Sequence, residues 1–387
     1  MCLQHTARYL SAATLKNFLN ALDYKSIQKS LTQRHEDTKL LFDVFSNKST
    51  ISFFLRSILL SYIILFFSCE QTQYSRSELA LGSLCTVTLY EQGNRDVYNN
   101  IFTRIREIEN LMSVNIPSSD VSRINAAAGA EPVKVQEKTF KVIERALFFA
   151  QLSGGAFDPA IGNIVSLWNI NGDKPRIPLQ EEIDAALPLV NWRNIELDAQ
   201  NCSVFLKYHG MALDLGAIAK GYAADETAGL IKKAGIKRAL IDLGGNILII
   251  GEKPDKKPWS VGIQNPLENR GSVIGVLHIP EKTVVTSGVY ERFFEKDGKR
   301  YHHLFDPSHG YPARTGLLSV TLITDISMDA DALSTAVFVL GYEKGISLLN
   351  TLDNTEAIFI FEDKSIITTD NINFTLTDTS FKLKNNF

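Results

Sequence analysis

The chain has 387 residues, a formal net charge of −3 and 45% hydrophobic residues. This length and apolar content are enough for one large domain, or for two closely packed lobes, with a substantial core. The slightly acidic balance, with no basic run longer than a pair, excludes a protein built to bind nucleic acid.

The amino-terminal residues differ from the rest in composition. Residues 1–50 are polar, mixed in charge and contain no Gly or Pro, and the apolar run Ser57–Phe67 follows them. That run is too short to span a bilayer but has the length of a signal-peptide core, with Lys48 and Arg56 as its basic flank. We therefore expect residues 51–69 to be a signal peptide. A segment such as 1–50 is unusual ahead of a signal peptide, and a mis-assigned start is one explanation of it.

Cys69 follows Ser68 directly at the end of the apolar run. This is the place of the lipidated cysteine in a bacterial lipoprotein cleavage site, although Phe66 stands where such sites usually carry Leu. A plain signal peptide, or a short membrane anchor with an incidental cysteine, is the alternative. The lipoprotein interpretation predicts an exported protein, anchored through a lipid on Cys69 to the periplasmic or outer face of a bacterial membrane.

Residues 76–387 carry the patterns of a folded domain. Apolar residues at helical spacing predict helices over Asp96–Met112, Lys138–Ser153 and Ile218–Ala234. Alternating or continuously apolar segments predict strands over Leu79–Glu91, Trp259–Gln264, Ser272–Ile279, Lys282–Thr286, Ser319–Thr324 and Ala357–Phe361, and two more within Arg238–Gly251. The elements follow no strict strand-helix-strand rhythm and no internal repeat, which predicts an α+β domain with a largely antiparallel sheet and packed helices.

Two turns ahead of the third predicted helix are rich in polar residues or glycine. The segment Met112–Asn125 concentrates amides and hydroxyls, either as a binding turn or as a helix cap formed by Ser118 or Ser119. The segment Gly154–Gly162 contains one carboxylate and enough glycine for the backbone to touch a ligand. A simple helix-to-strand turn is the alternative for this second segment.

The segment Leu213–Asp225 gives a stronger signal. A predicted strand carrying Asp214 runs through Gly216 into a helix, and Lys220 lies in the first helical turn. Backbone amides and an ammonium group at a helix start are suited to a pyrophosphate. A solvated surface lysine is the alternative.

Histidines and aromatic residues are dense in the two later segments Val285–Phe294 and Tyr301–Pro312. The second segment holds three of the histidines together with an Asp-Pro turn. One histidine near neutral pH is a candidate general base, whereas a single histidine in isolation is more often structural. This density is hard to attribute to folding alone.

Asp331 and Thr335 are four residues apart, so a helix would place both oxygens on one face. A carboxylate and a hydroxyl without Cys or His suit Mg²⁺, which completes its coordination with water and phosphate. A helix-capping aspartate is the alternative. Taken together, the clusters predict a site for a phosphate-bearing ligand of aromatic character, held with a hard metal ion.

Four motifs in order make the chain resemble the ApbE family of FAD:protein FMN transferases, which are often exported lipoproteins. They are the run Leu213–Asp225, the turn Asp242–Asn246, the His-x-x-Asp-Pro segment His303–Pro307 and the helix Asp331–Ala336. The resemblance extends from about Leu81 to Thr377. It implies an α+β domain of the ApbE type, T-fold-like, with two intimately packed lobes over residues 76–387.

The resemblance also implies roles for individual residues. Mg²⁺ would be held by Asp331, Thr335 and the backbone carbonyl of Ala217, with Ser334 a fourth contact. His303 would activate the acceptor hydroxyl. Contacts to FAD would come from Leu81, Asn115, Ala156, Phe157, Asp158, Asp214, Lys220 and Phe305.

The implied reaction is Mg²⁺-dependent transfer of FMN from FAD to a Thr or Ser hydroxyl of a target protein, with release of AMP. The implied acceptors are subunits of membrane redox complexes. Hydrolysis of FAD to FMN and AMP by the same site is one alternative. A flavin-binding lipoprotein without catalysis is another, and loss of the metal ligands would be its signature, whereas Asp331 and Thr335 are both present.

Overall fold

The computed structural model describes residues 74–90, 95–253 and 255–384. The described residues lie in one compact unit. The predicted extension 1–50, the predicted signal peptide 51–69 and the candidate lipidation site Cys69 lie outside them, so these remain predictions.

A nine-stranded sheet forms the centre of the described chain. Its order is β1-β2-β6-β7-β10-β13-β14-β15-β17, and every neighbouring pair is antiparallel except β15 with β17. The strands are β1 Tyr74–Ala80, β2 Ser83–Leu89, β6 Ala239–Leu243, β7 Asn246–Ile250, β10 Thr283–Gly288, β13 Leu317–Thr324, β14 Glu356–Phe361, β15 Ser365–Thr368 and β17 Lys382–Lys384. Every residue of β13 is buried, as expected of a central strand covered on both faces.

Three smaller sheets lie beside it. The first has the order β3-β5-β4, the second β16-β9-β8, and the third is the hairpin β11-β12. Their strands are β3 Val133–Lys134, β4 Ile195–Asp198, β5 Ser203–Leu206, β8 Trp259–Gln264, β9 Val273–Ile279, β11 Phe293–Lys296, β12 Lys299–His302 and β16 Phe374–Leu376. Helices and antiparallel sheets together confirm the predicted α+β class.

The helices of the described residues pack mainly against the large sheet and each other. They are α1 Arg95–Met112, α2 Asp120–Ala126, α3 Glu137–Leu152, α4 Gly162–Trp168, α5 Gln180–Ala186, α6 Ala219–Lys233 and α7 Ser327–Leu349, with short 3-10 turns at Leu187–Leu189 and Trp192–Asn194. Helix α7 packs on β10 and β13, and α6 contacts both α7 and α1. These contacts bring the starts of α6 and α7 together.

Helix α7 is long and apolar, and most of its residues are buried inside the protein. Among the described helices, it is the one with the length and mean hydropathy of a membrane span, at 1.3. Ala332, Ala336 and Phe338 are fully buried, so its composition is that of a core helix. Gly341 interrupts the helical backbone with a φ of 75°, which glycine adopts without strain.

Two hydrophobic cores stabilise the unit. The main core joins the large sheet to α1, α3, α6 and α7 and buries Phe102, Phe149 and Phe359. A smaller core surrounds Trp168 on α4 and includes Phe305. The two cores lie within one compact unit, and the expected division into two lobes stays a prediction.

The structure confirms most predicted elements to within a few residues and corrects two. The predicted strand Leu79–Glu91 is instead the end of β1, a turn at Leu81 and Gly82, and β2. The predicted strand through Asp214 is irregular backbone with a single bridge between Ala212 and Ile161. In the first place a turn divides the predicted strand into two. In the second, side-chain hydrogen bonds to the backbone take the place of strand pairing.

Candidate active site

Helices α6 and α7 cap each other where their amino termini meet. The two carboxylate oxygens of Asp225, on α6, accept from the backbone N–H groups of Ser327 and Met328, at 3.0 and 2.9 Å. In return, Asp331 Oδ2, on α7, accepts from the N–H of Gly221, at 3.0 Å. The first N–H groups of a helix have no partner within it and carry partial positive charge, so each carboxylate stabilises the other helix.

Gly221 makes this close approach possible. A Cβ atom at this position would lie 2.2 Å from the carbonyl oxygen of Ser327 and 2.6 Å from Cα of Met328. Only glycine allows the two helix starts to meet at this distance, and the meeting brings Lys220 to Asp331.

Asp331 is the centre of this junction. Lys220 Nζ lies 3.1 Å from Asp331 Oδ1 and 3.4 Å from Oδ2, and the Asp331 side chain is 5% exposed. Because α7 begins at Ser327, Asp331 lies in the second turn and does not cap its own helix. The capping alternative for this residue is therefore wrong for α7, although Asp331 does satisfy an N–H group of α6.

Hydroxyl groups continue the site along α7. Ser334 Oγ donates to the carbonyl of Asp331, at 2.9 Å, and lies 2.8 Å from Ser287 Oγ. Ser287 Oγ also lies 3.4 Å from Thr335 Oγ1. The two predicted hydroxyls thus share one neighbour on β10, and sequence reasoning had given Ser287 no role.

The turn that carries Asp214 and Ala217 is held from both sides. Asn125 on α2 accepts from Leu213 N at 2.7 Å and donates to Leu213 O at 3.0 Å, while Asp214 N donates to Pro159 O at 2.9 Å. Asp214 Oδ1 accepts from Gly216 N at 2.7 Å. Withdrawal from water raises the pKa of Asp214. Ala217 follows in the same turn, directly before α6.

The predicted loop 156–158 lies beside that turn. Phe157 and Asp158 are buried, and Asp158 accepts from the backbone N–H groups of Ala160 and Trp192, at 2.8 and 3.0 Å. Burial raises the pKa of Asp158 to about 6 despite these two bonds. Asp158 therefore holds the loop in shape, with Ala156 half-buried at its start.

His303 is oriented by a backbone carbonyl. The carbonyl oxygen of Arg292 lies 3.1 Å from His303 N and 3.2 Å from His303 Nδ1. Since a carbonyl only accepts, Nδ1 carries the hydrogen and Nε2 is left as an acceptor. Burial and the positive charge of Arg292 lower the pKa of His303 to about 3, so the ring is neutral at pH 7.

Its neighbour His302 is structural. The residue is 6% exposed, with Nε2 3.1 Å from the carbonyl oxygen of Ala313 and Nδ1 accepting from Leu304 N at 3.3 Å. Burial lowers the pKa of His302 to about 4. Of these two adjacent histidines, His303 is the one with a ring nitrogen left to accept a proton.

Three other predicted contacts occupy different surroundings. Leu81 has a φ of 52° in the turn between β1 and β2. Asn115 is exposed in the turn after α1 and donates its N–H to Ser113 Oγ at 3.2 Å. Phe305 is buried in the smaller core, 5.7 Å from the Trp168 ring, so it supports the Asp-Pro turn from behind.

Electrostatic effects show which groups share one region. The positive charge of Arg292 offsets part of the rise that burial gives the pKa of Asp214, and the charges of Arg292 and Lys220 both contribute to the lowered pKa of His303. Lys220 is also ion-paired with Asp331, at 3.1 Å, so these charged and titratable groups interact electrostatically.

Comparison with known proteins identifies the family. The model of the ApbE family matches residues 81–359. The FAD:protein FMN transferase of Treponema pallidum is 42% identical over 311 residues, which cover 76% of this chain and 86% of that protein. A protein of the same name from Klebsiella pneumoniae is 40% identical over 294 residues, covering 76% and 91%. The chain belongs to the ApbE family.

Solved structures agree with this membership. The crystal structure of the ApbE protein of Thermotoga maritima superposes with a TM-score of 0.70 at 35% identity, covering 76% of this ApbE-family chain and 96% of that one. The flavin transferase ApbE of Vibrio cholerae gives a TM-score of 0.68 at 26% identity, covering 80% and 98%. The ApbE type of fold is therefore confirmed.

Sequence reasoning missed several residues of the site in this ApbE-family chain. Ser287 and Arg292 stand in the segment Val285–Phe294, whose density of polar and aromatic residues was the available signal. Trp192 gave no such signal. Its indole N–H is buried without a hydrogen-bond partner in the part of the chain that the structure describes, close to Gly155 in the neighbouring loop.

Proposed function

We propose that this chain transfers FMN from FAD to a Thr or Ser hydroxyl of a target protein through a phosphoester bond, with Mg²⁺ and with release of AMP. Its family and its relatives of 40 and 42% identity make it a transferase. One observation carries the specific reaction. Asp331, Lys220 and the first turn of α6 meet beside the hydroxyls of Ser334 and Thr335, within electrostatic range of a neutral histidine.

The side chains present fit Mg²⁺ by the chemistry of their donor atoms. Asp331 offers a carboxylate, Ser334 and Thr335 offer hydroxyls, and Ala217 offers a carbonyl in the turn before α6. Such hard oxygen donors are those that Mg²⁺ prefers. When bound, the ion would neutralise charge on the phosphoryl oxygens of FAD.

Lys220 and the first turn of α6 supply fixed positive charge for the same oxygens. The ammonium group is held by Asp331, and the positive, amino-terminal end of the α6 dipole lies beside it. Charge that is already oriented before the reaction costs no reorganisation when the transition state forms. In phosphoryl transfer, positioning and charge stabilisation of this kind provide most of the acceleration.

His303 is the proposed general base. The acceptor oxygen bonds to the phosphorus next to riboflavin, its proton passes to Nε2 of His303, and the bond from that phosphorus to the bridging oxygen breaks, so that AMP leaves with that oxygen. A free pKa of about 3 makes the ring a weak base. The negative charge of bound FAD would counteract the positive charges of Arg292 and Lys220. It would therefore raise the pKa of His303 in the complex, where proton transfer takes place.

The cellular setting is part of the same proposal. Cleavage before Cys69 and lipidation there would place the enzyme on the outer or periplasmic face of a bacterial membrane. Acceptor subunits of membrane redox complexes in that compartment would be its partners.

The test is an assay of the purified protein with FAD, Mg²⁺ and a threonine-bearing acceptor peptide. We expect AMP release and a fluorescent FMN–peptide adduct, and we expect Asp331→Asn to abolish both. Asp329→Asn on the same helix is the matched control, because Asp329 pairs with Arg145, at 2.6 Å, away from Lys220. It should keep activity within a few-fold.

The same assay separates the alternatives. AMP release that is independent of peptide, with no adduct, would identify an FAD pyrophosphatase. Stable FAD binding without AMP under any divalent metal would identify a flavin-binding protein. Full activity in Asp331→Asn would refute the proposed role of this carboxylate.

A further inference from the structure

Arg292 lies in the bend between β10 and β11, where its backbone and its side chain contact different parts of the protein. Its carbonyl oxygen holds His303 through the two contacts of 3.1 and 3.2 Å. Its guanidinium extends to the turn between β1 and β2, where Nη2 lies 3.5 Å from the carbonyl oxygen of Gly82. The side chain is half-buried.

The guanidinium charge of Arg292 lacks the kind of direct carboxylate partner that Lys220 has. Lys220 has Asp331 at 3.1 Å, whereas Arg292 has no carboxylate within the 4.0 Å of an ion pair among the residues that the structure describes. Asp214 is near enough to feel its charge, but Asp214 Oδ1 is bonded to Gly216 N. A half-buried cation without a direct counter-ion is costly to desolvate, so an anionic ligand at this place would be stabilised.

The guanidinium has one long contact to the backbone of the neighbouring turn and remains partly exposed. The turn beside it contains Gly82, with a φ of +66°, and a Cβ there would lie 3.4 Å from Arg292 Nη2, in ordinary van der Waals contact. The positive φ favours glycine at this position, and glycine carries no side chain that would cover the guanidinium. The planar fork of an arginine matches two phosphoryl oxygens at once, which a lysine cannot do.

We propose that the Arg292 guanidinium binds the phosphoryl oxygens of the dinucleotide on the side of the site lined by Asp214 and His303. This inference rests on the proposed function and adds a residue that selects for a pyrophosphate-bearing substrate. One residue then fixes two partners of the reaction, because its carbonyl orients the base and its guanidinium positions the phosphoryl group to be attacked.

The experiment compares Arg292→Gln with Arg300→Gln. Arg300 is the matched control because it lies on the same hairpin and pairs with Glu295, at 3.1 Å. The dissociation constants of FAD and of riboflavin, which lacks phosphate, are measured by flavin fluorescence. We expect Arg292→Gln to weaken FAD binding by about 10- to 100-fold, the loss of a charge-assisted hydrogen bond, and riboflavin binding by less than about twofold. Arg300→Gln should change neither.

A second measurement uses the unaltered protein and does not depend on the folding of a variant. Arginines are modified with phenylglyoxal and mapped by mass spectrometry, with ADP, FAD or riboflavin present at saturation. FAD and ADP should protect Arg292 and riboflavin should not, while Arg300 reacts in every case.

Unchanged FAD affinity in Arg292→Gln, an equal loss for riboflavin, or full modification of Arg292 under saturating FAD would each overturn the inference. These results are distinct from failure of the proposed function. If the protein transfers FMN but Arg292→Gln binds FAD normally, only the present inference is wrong. If the protein binds FAD through Arg292 but releases no AMP, only the proposed function is wrong.

Discussion

Substitution of Gly221 by Ala tests the junction of α6 and α7 that organises the site. The added Cβ would lie 2.2 Å from the Ser327 carbonyl oxygen and 2.6 Å from Cα of Met328, both backbone atoms that cannot rotate away. The helices must therefore separate, which typically costs about 1–3 kcal/mol for overpacking in a core. The gain of about 1 kcal/mol in helix propensity from Gly to Ala offsets part of this. We expect a net destabilisation of up to about 2 kcal/mol.

The same helix provides the control. Gly229 is exposed on α6, and nothing lies within 4 Å of the position of its Cβ. Gly229→Ala should therefore gain about 0.5–1 kcal/mol from helix propensity alone. The two substitutions have the same chemistry and differ only in what the methyl group meets.

Urea unfolding followed by tryptophan fluorescence measures both variants, and the AMP-release assay measures their activity. Gly221→Ala should also lose activity, because separating the helices moves Lys220 and the α6 backbone away from Asp331. Gly229→Ala should keep it. If Gly221→Ala stabilises the protein as Gly229→Ala does and retains activity, the close approach of α6 and α7 does not organise the site.

Two further predictions concern pH and the metal. Because burial lowers the pKa of His302 from 6.5 to about 4, the unfolded state takes up a proton at higher pH than the folded state, so stability is lost as pH falls from 6.5 towards 4. Between pH 7 and 5 the protonation of His302 lowers the unfolding free energy by about 2 kcal/mol. His302→Gln should reduce the pH dependence of the unfolding free energy by that amount. Parallel curves of unfolding free energy against pH for the two proteins would refute this prediction. Ser287→Ala removes the neighbour shared by Ser334 and Thr335 and should raise the Mg²⁺ concentration for half-maximal activity about tenfold. Thr286→Ala, whose hydroxyl bonds to Thr321 instead, should leave that concentration unchanged, and an equal shift in both would contradict a role specific to Ser287.

Features that depend on local spacing could be predicted from the amino-acid sequence. Periodicity placed α1, α3 and α6 to within one or two residues, and the interval between Asp331 and Thr335 put both on one helix. Lys220 was correctly expected in the first turn of α6. Such predictions succeed because the helix repeat and the alternation of a strand are properties of neighbouring residues. Membership of the ApbE family was readable for the same reason, since its four motifs are short and contiguous.

Contacts between residues far apart in the chain became known from the folded structure. Asp331 lies 110 positions from Gly221, and Asp225 lies 102 from Ser327, yet their bonds join the two helix starts. Ser287 became a neighbour of the predicted hydroxyls through the packing of β10 on α7, and Arg292 became the residue that orients His303 through the bend after β10. Periodicity reports which face a residue occupies but not what that face packs against. The magnesium and phosphate chemistry proposed here depends on that packing, because the close contact of Gly221 with the Ser327 backbone brings Lys220 to Asp331.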